Sequence, residues 1–111
     1  MNVIVRKVGF KDPAYTNIYV GRPSGYKSEY GYNASVMGNP HYMAYESMRD
    51  EVCDKFDADW MWIKTDPRIS KIIKQMKERI KSRGQKFALI CYCYPKRCHA
   101  ETIAREIEGG L

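Results

Sequence analysis

Apolar and polar positions alternate through Asn2 to Val8, with Val3 and Val5 set against Ile4 and Arg6, and this predicts an opening strand. Lys11-Asp12-Pro13 reads as a turn, and Asn17 to Gly21 as a second short strand rich in β-formers. The periodicity then dissolves from Arg22 to Pro40, a stretch punctuated by glycine and proline with few aliphatics. Helical spacing returns at Tyr45, Met48, Val52, Phe56 and Ile63, with Trp60 nearby, and predicts a helix over 42–63. Asp66-Pro67 supplies an N-cap and a first-turn proline for the next helix. Ile69, Ile72, Ile73, Met76 and Ile80 form its single apolar stripe, and Gly84 ends it. Phe87 to Cys91 is continuously apolar, as for a strand covered on both faces. A last helix is expected over 97–108, with Ala100, Ile103, Ala104 and Ile107 inward and Gly109-Gly110 as its stop.

Strands and helices in this order imply a small single-domain α/β fold: a mostly parallel, Rossmann-like sheet flanked by helices. The 87–91 strand is expected at the centre, beside the 17–21 strand. If these two are parallel, their carboxyl ends open on one edge and bring Gly21-Arg22-Pro23-Ser24 alongside Cys91 to His99. Ligands bind at that edge of open α/β sheets.

A length of 111 residues fits one domain over all of 1–111, and 44% apolar or aromatic residues are enough for one core. No stretch reaches the length of a membrane span, so no membrane partner is expected. No charged-then-apolar leader opens the chain, and the four cysteines are therefore expected as free thiols in a cytoplasmic protein. The net charge is +6, which suits phosphate-bearing partners. Much of the excess lies at Lys71, Lys74, Lys77, Lys81 and Arg83, where the plain reading is a solvated helix face.

Three of the four cysteines and one of the two histidines fall in Cys91-Tyr92-Cys93-Tyr94-Pro95-Lys96-Arg97-Cys98-His99. Three roles compete for them. In the first, Cys98 is a reactive thiolate at a helix N-terminus, with His99 as acid or base and Glu101 as a further carboxylate. In the second, Cys91, Cys93, Cys98 and His99 hold zinc, although the spacing C-x-C-x4-C-H is uncommon for it. In the third, the cysteines are core residues.

Other candidates are ligand-binding. Gly21 permits close approach of backbone to a ligand, Arg22 offers a planar fork for phosphate, and Ser24 follows in the same turn. Gly38-Asn39-Pro40 is a turn from which Asn39 could present its amide to a base or ribose. Arg49 could meet phosphate, against the plainer expectation of a salt bridge to Glu46 or Asp50. Tyr26, Tyr30 and Tyr32, interleaved with Arg22 and Lys27, could stack on bases or simply pin their own loop. His41 reads as a surface residue, and Cys53 as helix packing.

Taken in order, Tyr19-Val20-Gly21-Arg22-Pro23-Ser24, Gly38-Asn39-Pro40, the helix led by Arg49, and Cys91-Tyr92-Cys93-Tyr94-Pro95 with Cys98-His99-Ala100-Glu101 resemble the domain of unknown function 4326 family. Its members are small proteins of bacteriophages and bacteria. The resemblance runs over roughly residues 17 to 107. It departs in the longer segment from Gly25 to Met37, and in Ala100-Glu101 where the family pattern has Gly-Asp. It implies a cytoplasmic protein, in the host cytoplasm if phage-encoded, and supplies no activity.

Two readings of function follow. The leading one is a site between Arg22, Asn39 and Cys98-His99, with Cys93 beside it, that binds a nucleotide, nucleoside or phosphorylated sugar. Glycosidic or phosphate transfer or hydrolysis is the chemistry such a site would support. The alternative is a non-enzymatic accessory module that grips nucleic acid or a host protein, with zinc as a stabiliser in one version.

Overall fold

A computed structural model describes residues 2–21, 34–41 and 43–109. Three strands, β1 (Val3–Lys7), β2 (Thr16–Tyr19) and β3 (Phe87–Cys91), form one sheet in the order β1-β3-β2. Both pairings are parallel: Val3 and Thr16 both sit opposite Phe87, on either side of it. The expected central strand is central, and the α/β fold is all-parallel. Three helices accompany the sheet: α1 (Arg49–Ile63), α2 (Pro67–Arg83) and α3 (Ala100–Gly109). Among the described residues, no helix is long and apolar enough to cross a membrane.

Strand side chains alternate between faces, and the two faces are covered differently. Val3, Ile18, Phe87, Leu89 and Cys91 join Phe56 and Trp60 of α1, the isoleucine stripe of α2, and Ala100, Ile103 and Ile107 of α3 in the main core. Tyr19, Ala88 and Ile90 face the other way, against Ile4, Val8, Phe10 and Tyr15. The first crossover, residues 8–15, thus covers one face, and the helices cover the other. All five residues of β3 are buried, as its unbroken apolar run requires.

α2 follows local rules. The Asp66 side chain accepts from the Arg68 N–H, Pro67 takes the first turn, and Gly84 closes the helix in the left-handed region at φ 63°.

α1 does not follow the sequence pattern at its start. The helix was expected from Tyr42, which lies outside the described residues, and it begins at Arg49 after a short 3-10 turn, Glu46–Met48. Tyr45 is extended (φ −133°, ψ 150°) and 72% exposed, so the pattern's first apolar position is not on the helix at all. A second 3-10 turn, Ala34–Met37, lies in the stretch read as patternless, and it sets Met37 fully in the core. α3 begins at Ala100, not at residue 97, which leaves Cys98 and His99 in the loop ahead of it.

Candidate functional site

The carboxyl ends of β2 and β3 open into a pocket of about 360 Å³. Its base is Gly21 with Cys91, Cys93, Cys98 and His99, and its sides are the first turns of α1 and the aromatic residues Tyr19 and Tyr92. The sequence expectation that Gly21 would lie alongside Cys91 to His99 holds, because the parallel pairing opens both strand ends on one edge. Gly21 is required there: a Cβ would stand 2.4 Å from the Tyr19 hydroxyl, which folds over it.

The loop from Tyr92 to His99, which includes a cis Tyr94–Pro95 bond, is clamped onto α1. Arg49 Nη1 donates to the Arg97 carbonyl at 3.0 Å, and Arg97 donates back to the carboxylates of Asp50 (3.0 Å), Asp54 (2.8 Å) and Asp57 (3.3 Å). Three acids spaced at i, i+4 and i+7 line one helix face, and one guanidinium satisfies all three. Thr102 in the first turn of α3 donates to Asp57 as well. Arg49 itself is held by Glu46 through Nε at 2.7 Å and Nη2 at 2.8 Å. The expected salt bridge therefore forms to Glu46, while Asp50 is taken by Arg97.

The buried chemistry sits beneath this clamp. His99 Nε2 lies 2.8 Å from the Val20 carbonyl, which can only accept, so Nε2 carries the proton. Nδ1 is then the acceptor, and Cys98 Sγ lies 3.4 Å from it. The ring is also set edge-on against Phe56, 5.0 Å between centroids. Cys98 has one S–H and three acceptors around it: Cys91, Cys93 and this nitrogen.

These contacts reverse the expectation of a thiolate at Cys98. Hydrogen bonds to Cys91 and Cys93, then burial, push the Cys98 thiol far up, and the Ala100 N–H at the helix start opposes them only weakly. The Cys98 thiol in turn lowers Cys93 to about 5, and the Arg49 guanidinium adds to that effect by hydrogen bond and charge. Cys91 falls to about 7, held by Cys98 and by the N–H groups of Tyr94 and Cys93. Only Cys93 also faces a cation, so the site favours its thiolate, with Cys98 as the protonated donor. Burial pushes Cys53 upward, and its thiol points at the Arg97 carbonyl.

The remaining expectations divide. Asn39 lines the pocket, but its amide is occupied: Oδ1 accepts from the His41 N–H at 2.9 Å and Nδ2 donates to the Val52 carbonyl. It holds the turn against α1. Gly38 lies elsewhere, in a shallow groove with Trp62 and Ile69. Glu101 is exposed on α3 and is not among the residues lining the pocket. Arg22, Ser24, Tyr26, Tyr30 and Tyr32 lie outside the described residues. On the zinc expectation, no group of three His, Cys, Asp or Glu side chains among the described residues is disposed to hold a metal ion.

Two participants were not foreseen. Arg97 has no role of its own in the sequence reading, yet it ties the loop to α1. His41 was read as a surface residue, yet it lines the pocket, with Nε2 2.6 Å from Asp59. The spacing of Asp50, Asp54 and Asp57 was the available signal for Arg97, because so many acids on one helix face require a cation.

Neither the curated proteins nor the solved structures give a match to this chain. The profile described as Domain of unknown function (DUF4326) matches residues 4–109, further toward the N-terminus than the motifs alone suggested, and takes in β1 as well as the cysteine loop. With nearly its whole length matched, the chain belongs to the DUF4326 family.

Proposed function

We propose that this protein binds a nucleoside, a mononucleotide or a phosphorylated sugar in the pocket at the carboxyl edge of its sheet. The observation that carries the reading is the meeting, in one pocket, of the Cys93 thiol, the Arg49 and Arg97 guanidiniums and the Tyr19–Tyr92 aromatic pair. A volume of about 360 Å³ is at the small end of ligand pockets, which suits a nucleoside better than a dinucleotide. The two guanidiniums already face four carboxylates, Glu46, Asp50, Asp54 and Asp57, so the charge balance at the pocket rim has no positive surplus. That balance favours a ligand with one phosphate or none over a polyphosphate.

The chemistry we assign is transfer of a glycosyl or phosphoryl group. Cys93 Sγ attacks the anomeric carbon or phosphorus, the leaving group departs with the bonding pair, and Cys98 S–H supplies its proton; an acceptor hydroxyl or water then takes the group, its oxygen displacing Cys93 Sγ, and gives its proton back to the Cys98 thiolate. His99, fixed by Val20, orients Cys98 and is a positioning residue. Four free cysteines suit a reducing cytoplasm, that of the host where a phage encodes the protein.

Isothermal titration against nucleosides, nucleoside monophosphates and pentose phosphates tests the reading. The expected result is binding by the wild type and a loss of about tenfold or more in Arg49→Ala, the worth of one charged hydrogen bond. No heat at millimolar ligand, with circular dichroism unchanged, overturns it. Binding without a ligand-derived mass on Cys93 keeps the pocket and overturns the transfer step.

A further inference from the structure

The excess positive charge of this protein is carried by one element. α2 holds seven basic residues against the single acid Glu78, which equals the net +6 of the whole chain, so everything else sums to zero. α1 is the reverse: Arg49 and Lys55 face five acids.

Within α2 the charge is ordered. Lys74, Lys77 and Lys81 follow one another at i+3 and i+4, with Ser70 one turn before them, and form one ridge along the helix. The ridge borders a groove of about 420 Å³ completed by Lys64 and by two acids, Glu78 of α2 and Glu106 of α3. Glu106 receives Lys64 at 2.9 Å and Lys77 at 3.8 Å. Lys71, Lys74 and Lys81 are exposed and make no salt bridge among the described residues. Like charges at these spacings repel, and the repulsion is relieved when a polyanion lies along them.

We propose that the α2 ridge and its groove bind the phosphate backbone of a nucleic acid. Lys74 to Lys81 covers about 10 Å of helix axis, enough to meet several successive phosphates. An anionic membrane fits less well. The apolar stripe of α2 is buried in the core, and among the described residues the exposed large apolar ones, Tyr45, Met61, Trp62 and Tyr92, all lie on other segments. No side chain of α2 is left to enter a lipid surface. The site is also separate from the pocket. Arg49 opens α1 and Lys64 follows its end, about 22 Å away along the axis. The acids of α1 near the pocket keep a phosphate chain off that rim and orient the protein on its partner.

Binding to a fluorescein-labelled duplex of about 20 base pairs, followed by anisotropy from 50 to 200 mM salt, tests this. Three or four phosphate contacts predict a fall in affinity of about 40- to 150-fold across that range. Lys74→Gln with Lys81→Gln should lower the log–log slope by about 2, while the charge-matched pair Lys7→Gln and Lys11→Gln should leave it unchanged. Both pairs are exposed, and a thermal melt verifies the fold. An equal loss in the control pair means diffuse charge and overturns the proposal. So does absence of duplex binding in 50 mM salt, or equal binding to poly-glutamate of matched charge, which would point to an acidic protein.

Discussion

α1 and α2 are consecutive helices of similar length, and they use their polar faces in opposite ways. α2 turns a ridge of lysines outward, where little answers it. α1 turns Asp50, Asp54 and Asp57 onto a loop, where Arg97 answers all three. The caps of α2 are settled by its own flanking residues, whereas the polar face of α1 is half of a pocket wall. The difference separates two surfaces: the pocket gathers around the helix whose acids are engaged by Arg97, and the open charge lies on the helix whose ends are set by local signals.

The comparison can be broken first at its core. Phe56→Ala removes the ring between Trp60 and His99, and should cost about 3–5 kcal/mol in urea unfolding while also releasing His99. A smaller chemical effect should appear at Cys93. Its rate of alkylation by iodoacetamide should rise with pH about a midpoint near 5, where an ordinary thiol has its midpoint near 9. The sign is that of a depressed pKa: the thiolate persists above 5 and is lost as pH falls through it. Arg49→Gln should move that midpoint up, and a mass map showing Cys98 modified first would reverse the assignment.

Arg97→Ala leaves three acids of α1 facing one another, and should lower stability by about 1 kcal/mol, with the discount for its partial exposure included. Arg68→Ala, the matching change on α2, should leave the melt unchanged, because its Asp66 partner is a surface contact. The smallest effect concerns the Asp66 cap. Its carboxyl is held at about 2 by the Arg68 side chain, below its ordinary value of 3.8. A lowered carboxylate contributes fully above about pH 4 and loses its contribution as pH falls through 2, so Asp66→Asn should flatten acid unfolding over that window alone.

These contrasts also separate what was legible in the chain from what was not. Asp66, Pro67, the isoleucine stripe and Gly84 announced α2 from cap to cap, because each of those signals acts within one or two helical turns. The unbroken run Phe87 to Cys91 announced a central strand, because only burial on both faces tolerates it. α1 was misread at its start because Tyr45 and Met48 continue the helical period while the backbone at Tyr45 is extended. Nothing within a turn of Tyr45 marks that break.

At the site, the sequence determined which side chains would form its base. Parallel strands and a nine-residue cysteine loop bring Gly21, Cys91, Cys93, Cys98 and His99 to one edge whatever the finer packing. Only the tertiary structure decided their partners. Protonation depends on neighbours remote in sequence: Val20, 79 residues away, fixes the tautomer of His99, and Arg49 supplies the charge that favours Cys93 over Cys98. A pattern read along the chain records the residues, whereas a pKa records the burial and the partners that folding alone assembles.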